Sequence, residues 1–296
     1  MEAYKNILVV IDEKNFVTKA IYRAVKLIKQ TGGRMSILLL DDNSAIHRFS
    51  NLMNGNYKYT AEVSFKNKSV QLRSIIKKLA KRGVDIDPEL LTCTSYHSIL
   101  SITNSKHIDT VIVAASSHNS GFRYLHYPVD FFLIGQCPTP LLIVKDHNWE
   151  PEGHILSAVE LFNDNPEHQM LTKKVLEESE HFTQLLNGDC HTVDCYFGES
   201  VDVSFNFEPF EPFEKNQDIH LSMMKQHCHD YHLSYENVHL SLELPENAIS
   251  QIATEVDSEL VIIGDCGHRG FLSKLSAHVS EEVLNKVNCD LLILKP

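Results

Sequence analysis

Apolar positions along this chain come in short blocks separated by stretches with helical spacing. Asn6–Ile11 (NILVVI) is an unbroken apolar run, the pattern of a strand buried on both faces of a parallel sheet. Lys19–Gln30 follows, with Ala20, Ile21, Ala24 and Ile28 on one helical face and Gly32-Gly33 closing it. Met35–Leu40 predicts a second buried strand. A long amphipathic helix comes next, with Val70, Leu72, Ile75, Ile76 and Leu79 assigned to its apolar side and its end near Gly83. Ile86–Thr92 predicts a third strand and Ser98–Ser105 a helix. Val111–Ala115 predicts a fourth strand, Val129–Gln136 a helix and Leu141–Val144 a fifth strand.

The same order then runs again. His154–Leu161 reads as a strand, His168–Leu186 as a helix and His191–Phe197 as a strand. Residues 198–215 read as a loop carrying Phe205, Phe207, Phe210 and Phe213, which either cap the core of the second half or line an apolar pocket. Further elements are expected at 217–232, 237–243, 246–257, 260–263, 278–287 and 290–294. Residues 111–145 and 261–295 align without a gap at an offset of 150, Val111 on Val261 and Lys145 on Lys295. A repeat this long implies duplication of a whole domain. It places the domains at 1–146 and 153–296, joined by a polar segment at 147–153 (HNWEPEG) that holds the only tryptophan, Trp149. Strands alternating with helices predict an α/β fold: two tandem five-stranded parallel sheets, each doubly wound. Such sheets bind ligands at the carboxyl ends of their strands, near the point where strand order reverses.

Composition narrows the function classes. The 296 residues are 43% apolar and 22% charged, ordinary for a globular chain. A formal net charge of −12 argues against nonspecific binding to nucleic acid or to an anionic membrane, both of which need clustered Lys and Arg. The N-terminal apolar run is too short for a signal segment, and no run approaches the ~20 apolar residues needed to span a bilayer. Seven scattered cysteines without a CxxC pair suit reduced thiols, with Cys93 and Cys289 acting as small hydrophobes. The expectation is a soluble, cytoplasmic protein.

The candidate chemistry sits in the loop after Val261–Ile263. The second copy has Gly264, Gly267 and Gly270 where the first has Ala114, Ser117 and Ser120. Glycines at a strand end let backbone approach a phosphate, and a helix N-terminus, expected near His278, supplies N–H donors. The plainer alternative is a glycine loop kept for its turn geometry. No GxxxxGK[ST], no GxGxxG after the first strand and no GxSxG occurs. A phosphorelay receiver is disfavoured because the third strand ends in LLTCTS, without an acceptor Asp. Adenylation chemistry is disfavoured because no SGGxDS loop follows Ile11. Among 17 histidines, the densest cluster is QHCHDYH, where Cys228 and His232 share a helical face as half of a metal site. No further ligands can be named, so the cluster reads as a solvated helix end.

The stretch GDCGHRGFLSKLSAHV resembles the signature of the universal stress protein family, Gly-x2-Gly-x9-Gly-Ser/Thr, at positions 264, 267, 277 and 278. The opening strand ending in Asp12 and the closing strand in QCPTPLLIVKD are similar to that family too. The resemblance covers both halves and is to the tandem two-domain type. It implies the adenine nucleotide α-hydrolase-like fold, halves that pair as an internal pseudo-dimer through their last strands, and scope for a homodimer. It also implies ATP or another adenine nucleotide as ligand, held by the carboxylate after strand one and by the glycine loop. Both halves depart from the pattern. The first keeps Asp12 but has Ala114, Ser117, Tyr127 and Pro128 at the loop positions. The second keeps Gly264 and Gly267 but has Ala277, His278 and, where Asp12 aligns at an offset of 148, Glu160. The nucleotide set for the second half is therefore Glu160, Gly264, Gly267, Gly270, Ala277, His278 and Val279, with Asp12 left in a degenerate first site. Alanine at 277 costs about 1–2 kcal/mol if that position needs a positive φ. The resemblance implies a non-enzymatic stress-response protein that binds or senses a small ligand through its second domain. The alternative is an ATP-binding protein with slow hydrolysis, for which the sequence shows neither an activated water nor a metal anchor.

Overall fold

The structure is a computed structural model that describes residues 4–12, 18–41, 56–116, 128–161, 165–195, 234–265 and 273–296, with five further positions between 222 and 231. The chain divides into two units, Met1–Asn148 and Trp149–Pro296.

In the first unit, β1 (Asn6–Asp12), β2 (Arg34–Leu40), β3 (Ile86–Cys93), β4 (Thr110–Ala114) and β5 (Leu141–Val144) form a parallel sheet in the order β3-β2-β1-β4-β5. From Ile7 to Asp12 every residue of β1 is buried, as an apolar strand covered on both faces must be. The edge strand β3 mixes buried and exposed positions instead. Between the strands lie α1 (Thr18–Thr31), α2 (Asn56–Lys81), α3 (Tyr96–Ser105) and α4 (Val129–Gln136). Helix α1 buries Ala20, Ile21, Ala24, Leu27 and Ile28 and stops at Gly32, whose φ of +68° a side chain would strain. On α2, Leu72, Ile76 and Leu79 are buried, but Val70 is 62% exposed. Val70 stands two residues, or about 200°, from Leu72, so it falls on the opposite side of the helix from the expected apolar face.

The second unit repeats the plan with β6 (His154–Val159), β7 (Cys190–Cys195), β8 (Val238–Ser241), β9 (Ser258–Gly264) and β10 (Asp290–Leu294), parallel and ordered β10-β9-β6-β7-β8. Helix α5 (Pro166–Leu186) joins β6 to β7, α6 (Pro245–Glu255) joins β8 to β9, and α7 (Ser273–Lys286) joins β9 to β10. Proline at its first position and the Asn165 side chain, accepting from the Glu167 N–H at 2.9 Å, start α5. Asn187 in the left-handed region, at φ 53°, ends it.

Most element boundaries shift by a residue or two from the sequence expectation, and three of the differences bear on the site. Strand β6 stops at Val159, so Glu160 and Leu161 follow it instead of closing it. Strand β9 runs two residues further back than 260, to Ser258. Helix α7 begins at Ser273 and not near His278, because Leu275, Val279 and Val283 already continue one i, i+4 row. The expected helix at 217–232 and the phenylalanine-bearing loop at 198–215 lie outside the described residues, isolated positions aside.

Candidate functional site

In each unit the strand order reverses between two central strands, β1 and β4 in the first and β6 and β9 in the second. The ends of those strands are where a doubly wound sheet opens for a ligand. The two units superpose there in register. The Ala115 N–H donates to the Val144 carbonyl at 2.8 Å, and 150 residues later the Asp265 N–H donates to the Leu294 carbonyl at 2.9 Å.

In the second unit, Glu160 stands directly after β6. Its backbone is clamped to α5 through the Thr172 hydroxyl, which lies 3.4 Å from both the Glu160 N–H and its carbonyl. Its carboxylate meets His168 Nδ1 at 2.6 Å, with the Glu160 side chain more than half exposed. Gly264 closes β9. A Cβ there would lie 2.5 Å from Leu171 Cγ and 2.6 Å from Cδ2, so α5 packs where a side chain would be. Packing by itself accounts for this glycine. Asp265, the next residue, is 1% exposed and receives the Lys295 ammonium at 2.6 Å. Two buried opposite charges this close are held by geometry that either partner alone would lose.

Asp194 is a group that sequence reasoning missed. It lies on β7 opposite Val159, is 2% exposed, and accepts a hydrogen bond from the Leu161 backbone N–H. Its Oδ2 is buried with no hydrogen-bond partner. Burial, aided by the negative charge of Glu160 and opposed by the Leu161 N–H, pushes its carboxyl up to about 7. The neighbouring Cys195 thiol is pushed up to about 12 by burial and then by the charges of Asp194, Glu246, Glu243 and Glu160. Carboxylates thus ring the ends of β6, β7 and β8. The sequence alone carries no signal for Asp194; the register of the strands reveals it by comparison with the first unit. At the offset of 148, Val159 corresponds to Ile11; Ile11 pairs with Leu39, and Val159 with Asp194. A carboxylate thus replaces a fully buried leucine.

The first unit is less polar at these positions. It has Asp12, which is buried, then Leu39 and Ala115 where the second has Asp194 and Asp265. Its Ala114 is buried where Gly264 stands. The start of the following loop is pinned by Asp130 of α4, whose fully buried carboxylate accepts from the Ser116 N–H at 2.7 Å and from its neighbour Phe131 N–H at 2.9 Å.

Of the nucleotide set, Glu160, Gly264 and the half-buried Val279 are described, and Ala277 and His278 fall within α7 as its fifth and sixth residues. Ala277 is therefore helical, and the cost of a positive φ does not arise. Gly267 and Gly270 lie outside the described residues, as does His232. Cys228 is buried, and its thiol is raised by that burial. Among the described residues no group of three or more His, Cys, Asp or Glu side chains is arranged to hold a metal ion. The six described cysteines form no disulfide with one another. A cleft of about 260 Å³ between β8 and α6 is lined by His239, Ser241, Glu243, Gln251 and Glu255, at the edge of the second unit's strand order away from β9. No helix among the described residues is long and apolar enough to cross a membrane.

This is a tandem, doubly wound α/β protein with the polar strand-end site concentrated in its second unit. The family model described as the universal stress protein family matches residues 3–145 and 173–295, and the chain belongs to that family. It is 27% identical over 312 residues to universal stress protein E of Escherichia coli, covering 100% of this chain and 95% of that one. It is 23% identical over 309 residues to the universal stress protein E homolog of Haemophilus influenzae, covering 99% and 98%. A putative universal stress protein from Pseudomonas aeruginosa has the same fold, with a TM-score of 0.75 and 19% identity over 99% of this chain and 93% of that one. One from Archaeoglobus fulgidus matches with a TM-score of 0.67 and 12% identity over 99% and 97%.

Proposed function

We propose that the protein is a non-enzymatic cytoplasmic stress-response factor that binds an adenine nucleotide through its second unit. The observation that carries this reading is the difference between two halves of one duplicated fold. In matching register the second unit places Glu160, Asp194 and Asp265 at its strand ends, where the first has Asp12, Leu39 and Ala115. Burying the Asp194 carboxylate, where the first unit has a leucine, costs free energy that a purely structural copy would not incur, so its retention favours a ligand. The start of α7 adds a second element. Its first-turn N–H groups, from Ser273 onward, follow the glycine loop and face no helical acceptor, which suits a phosphate. Gly267 is assigned to the close approach of backbone to that phosphate.

Native mass spectrometry of the full chain tests the reading. One adenine nucleotide per chain is expected, lost in Gly267→Val and kept when Asp12 is changed to Ala. A chain that carries none, and takes up none when ATP is added, overturns it.

A slow ATP hydrolase is the second reading, favoured by the Glu160–His168 pair. A solvent-reachable carboxylate and imidazole 2.6 Å apart form a general-base arrangement. If turnover occurs and this pair drives it, Glu160→Gln lowers the rate by about 10²-fold or more. Turnover that survives the change removes the pair from the mechanism.

A further inference from the structure

Three histidines stand on neighbouring parallel strands at the amino ends of the second unit's sheet. His154 opens β6, and His191 and His239 are the second residues of β7 and β8. Leu156 pairs with His191 and Val193 with His239, so the two-residue alternation of a strand puts all three rings on one face. His154 meets His191 edge-on with ring centroids 5.2 Å apart, and His191 stacks on His239 at 5.4 Å. His191 Nδ1 lies 3.2 Å from His239 Nε2, a hydrogen bond in which one nitrogen carries a proton and the other does not. His154 Nδ1 is buried and has no hydrogen-bond partner among the described residues. By strand register the first unit has Asn6, Ser36 and Leu91 at these positions, so the fold does not need the row. The row ends on β8, a four-residue strand at the edge of the order whose residues are all only half-buried.

We propose that the histidine row is a proton-operated latch, which fastens the edge strand β8 to β7 while its rings are neutral and releases β8 on acidification. An imidazolium carries an N–H on both nitrogens, so charging His191 and His239 together sets two donors and two positive charges 3.2 Å apart. The closed pair therefore keeps neutral a ring that an opened strand would let charge. Burial, and then His154 and His239, lowers the proton affinity of His191, and burial lowers that of His239. Asp189, just before β7, pulls the other way on His191. Glu255, at the end of α6, does so on His239 while accepting from Gln251 at 2.8 Å. Glu259 of β9 lays its side chain against Gly153, beside His154. Asp189 and Glu255 favour a first proton on the pair, and neither relieves the clash made by a second. The closed strand binds fewer protons than the open one, so closure is favoured above about pH 6.5 and weakens as pH falls. The row lies at the opposite strand ends from Glu160 and Gly264, so the latch is independent of the nucleotide reading.

Hydrogen exchange of the full chain at pH 7.5 and 5.5, read at the amides of β8 and normalised for the intrinsic pH dependence of exchange, tests this. His191→Gln removes the central ring and leaves a group that still hydrogen-bonds His239. The opening constant of β8 in the wild type, divided by that in the variant, is expected to rise about tenfold from the higher pH to the lower, the effect of one histidine that charges only when the strand opens. Division cancels the contribution of Asp194, which titrates in both proteins. The amides of β3, the corresponding edge strand of the first unit, should give a ratio that does not change. A β8 ratio constant with pH overturns the latch, and so does an equal rise in β3, which would mark unfolding of the chain and not release of one strand. Should His191→Gln not fold, His239→Leu, which installs the residue type of Leu91, takes its place. The imidazole signals of the wild type decide independently: His191 and His239 titrating as uncoupled rings at the ordinary value of 6.5 would also overturn the proposal.

Discussion

Gly264 shows how one residue can look like a ligand contact and be a packing contact. The loop pattern marks it as a phosphate approach, yet the space for its Cβ is taken by Leu171 at 2.5 Å. Gly264→Ala is expected to lower stability by about 1–3 kcal/mol, as overpacking does, and to reduce the thermal midpoint of the second unit. In a Leu171→Ala background the same change should cost distinctly less; equal losses in both backgrounds would show that the clash is not the cause. Asp265 is the converse case. Inside GDCG it reads as a loop residue, and only the fold brings Lys295, 30 positions away, to within 2.6 Å of it. Ala277 needed no defence, because the helix it occupies favours alanine over every other residue.

At the scale of the element, strand β7 carries opposing chemistries. Its apolar positions are those of any buried strand, but Asp194 must be neutral to sit there comfortably. Its proton affinity is higher in the folded chain, near pH 7, than in the unfolded chain, near 3.8. Between those values the folded state binds more protons, so this group's contribution to stability falls as pH rises and is fully lost above about 7. Asp194→Leu, which restores the residue type of the first unit, should raise the stability of the second unit at pH 8 by about 2–4 kcal/mol and change it much less at pH 4. Thermal unfolding at the two pH values measures this, and an equal gain at both would assign the effect to packing and not to charge. The same strand holds His191, whose Nδ1 lies 3.2 Å from His239 Nε2 on β8. Burial and the neighbouring His154 and His239 lower the proton affinity of His191. Its contribution runs the other way, present above pH 6.5 and lost as pH falls. Measuring Asp194→Leu as a difference from wild type removes this opposing slope. Helix α2 is a reminder that period alone leaves ambiguity. Leu72, Ile76 and Leu79 are buried as the spacing predicts, while Val70, two residues of rotation from Leu72, turns to solvent.

Across the whole molecule, the duplication was the most legible feature. The constant offset of 150 follows from sequence and reappears as the same backbone hydrogen bond at the ends of β4 and β9. Two parallel α/β units were readable because apolar runs long enough for a strand alternate with amphipathic runs long enough for a helix, and that alternation leaves few topologies. The imbalance between the units was half readable: the lost glycines of the first are visible in the chain, whereas the buried carboxylates of the second are not. Asp194 and Asp265 are single letters that no periodicity marks as buried. Sequence carries the period of each strand but not the register between strands. Register decides that Asp194 stands opposite Val159 and bonds the Leu161 N–H, and that Lys295 reaches Asp265. The sequence by itself determined elements, repeat and fold class, since these depend on local periodicity and burial. Only the tertiary structure decided which charges are buried together and which glycine is filled by a neighbour, because those depend on contacts between residues distant along the chain.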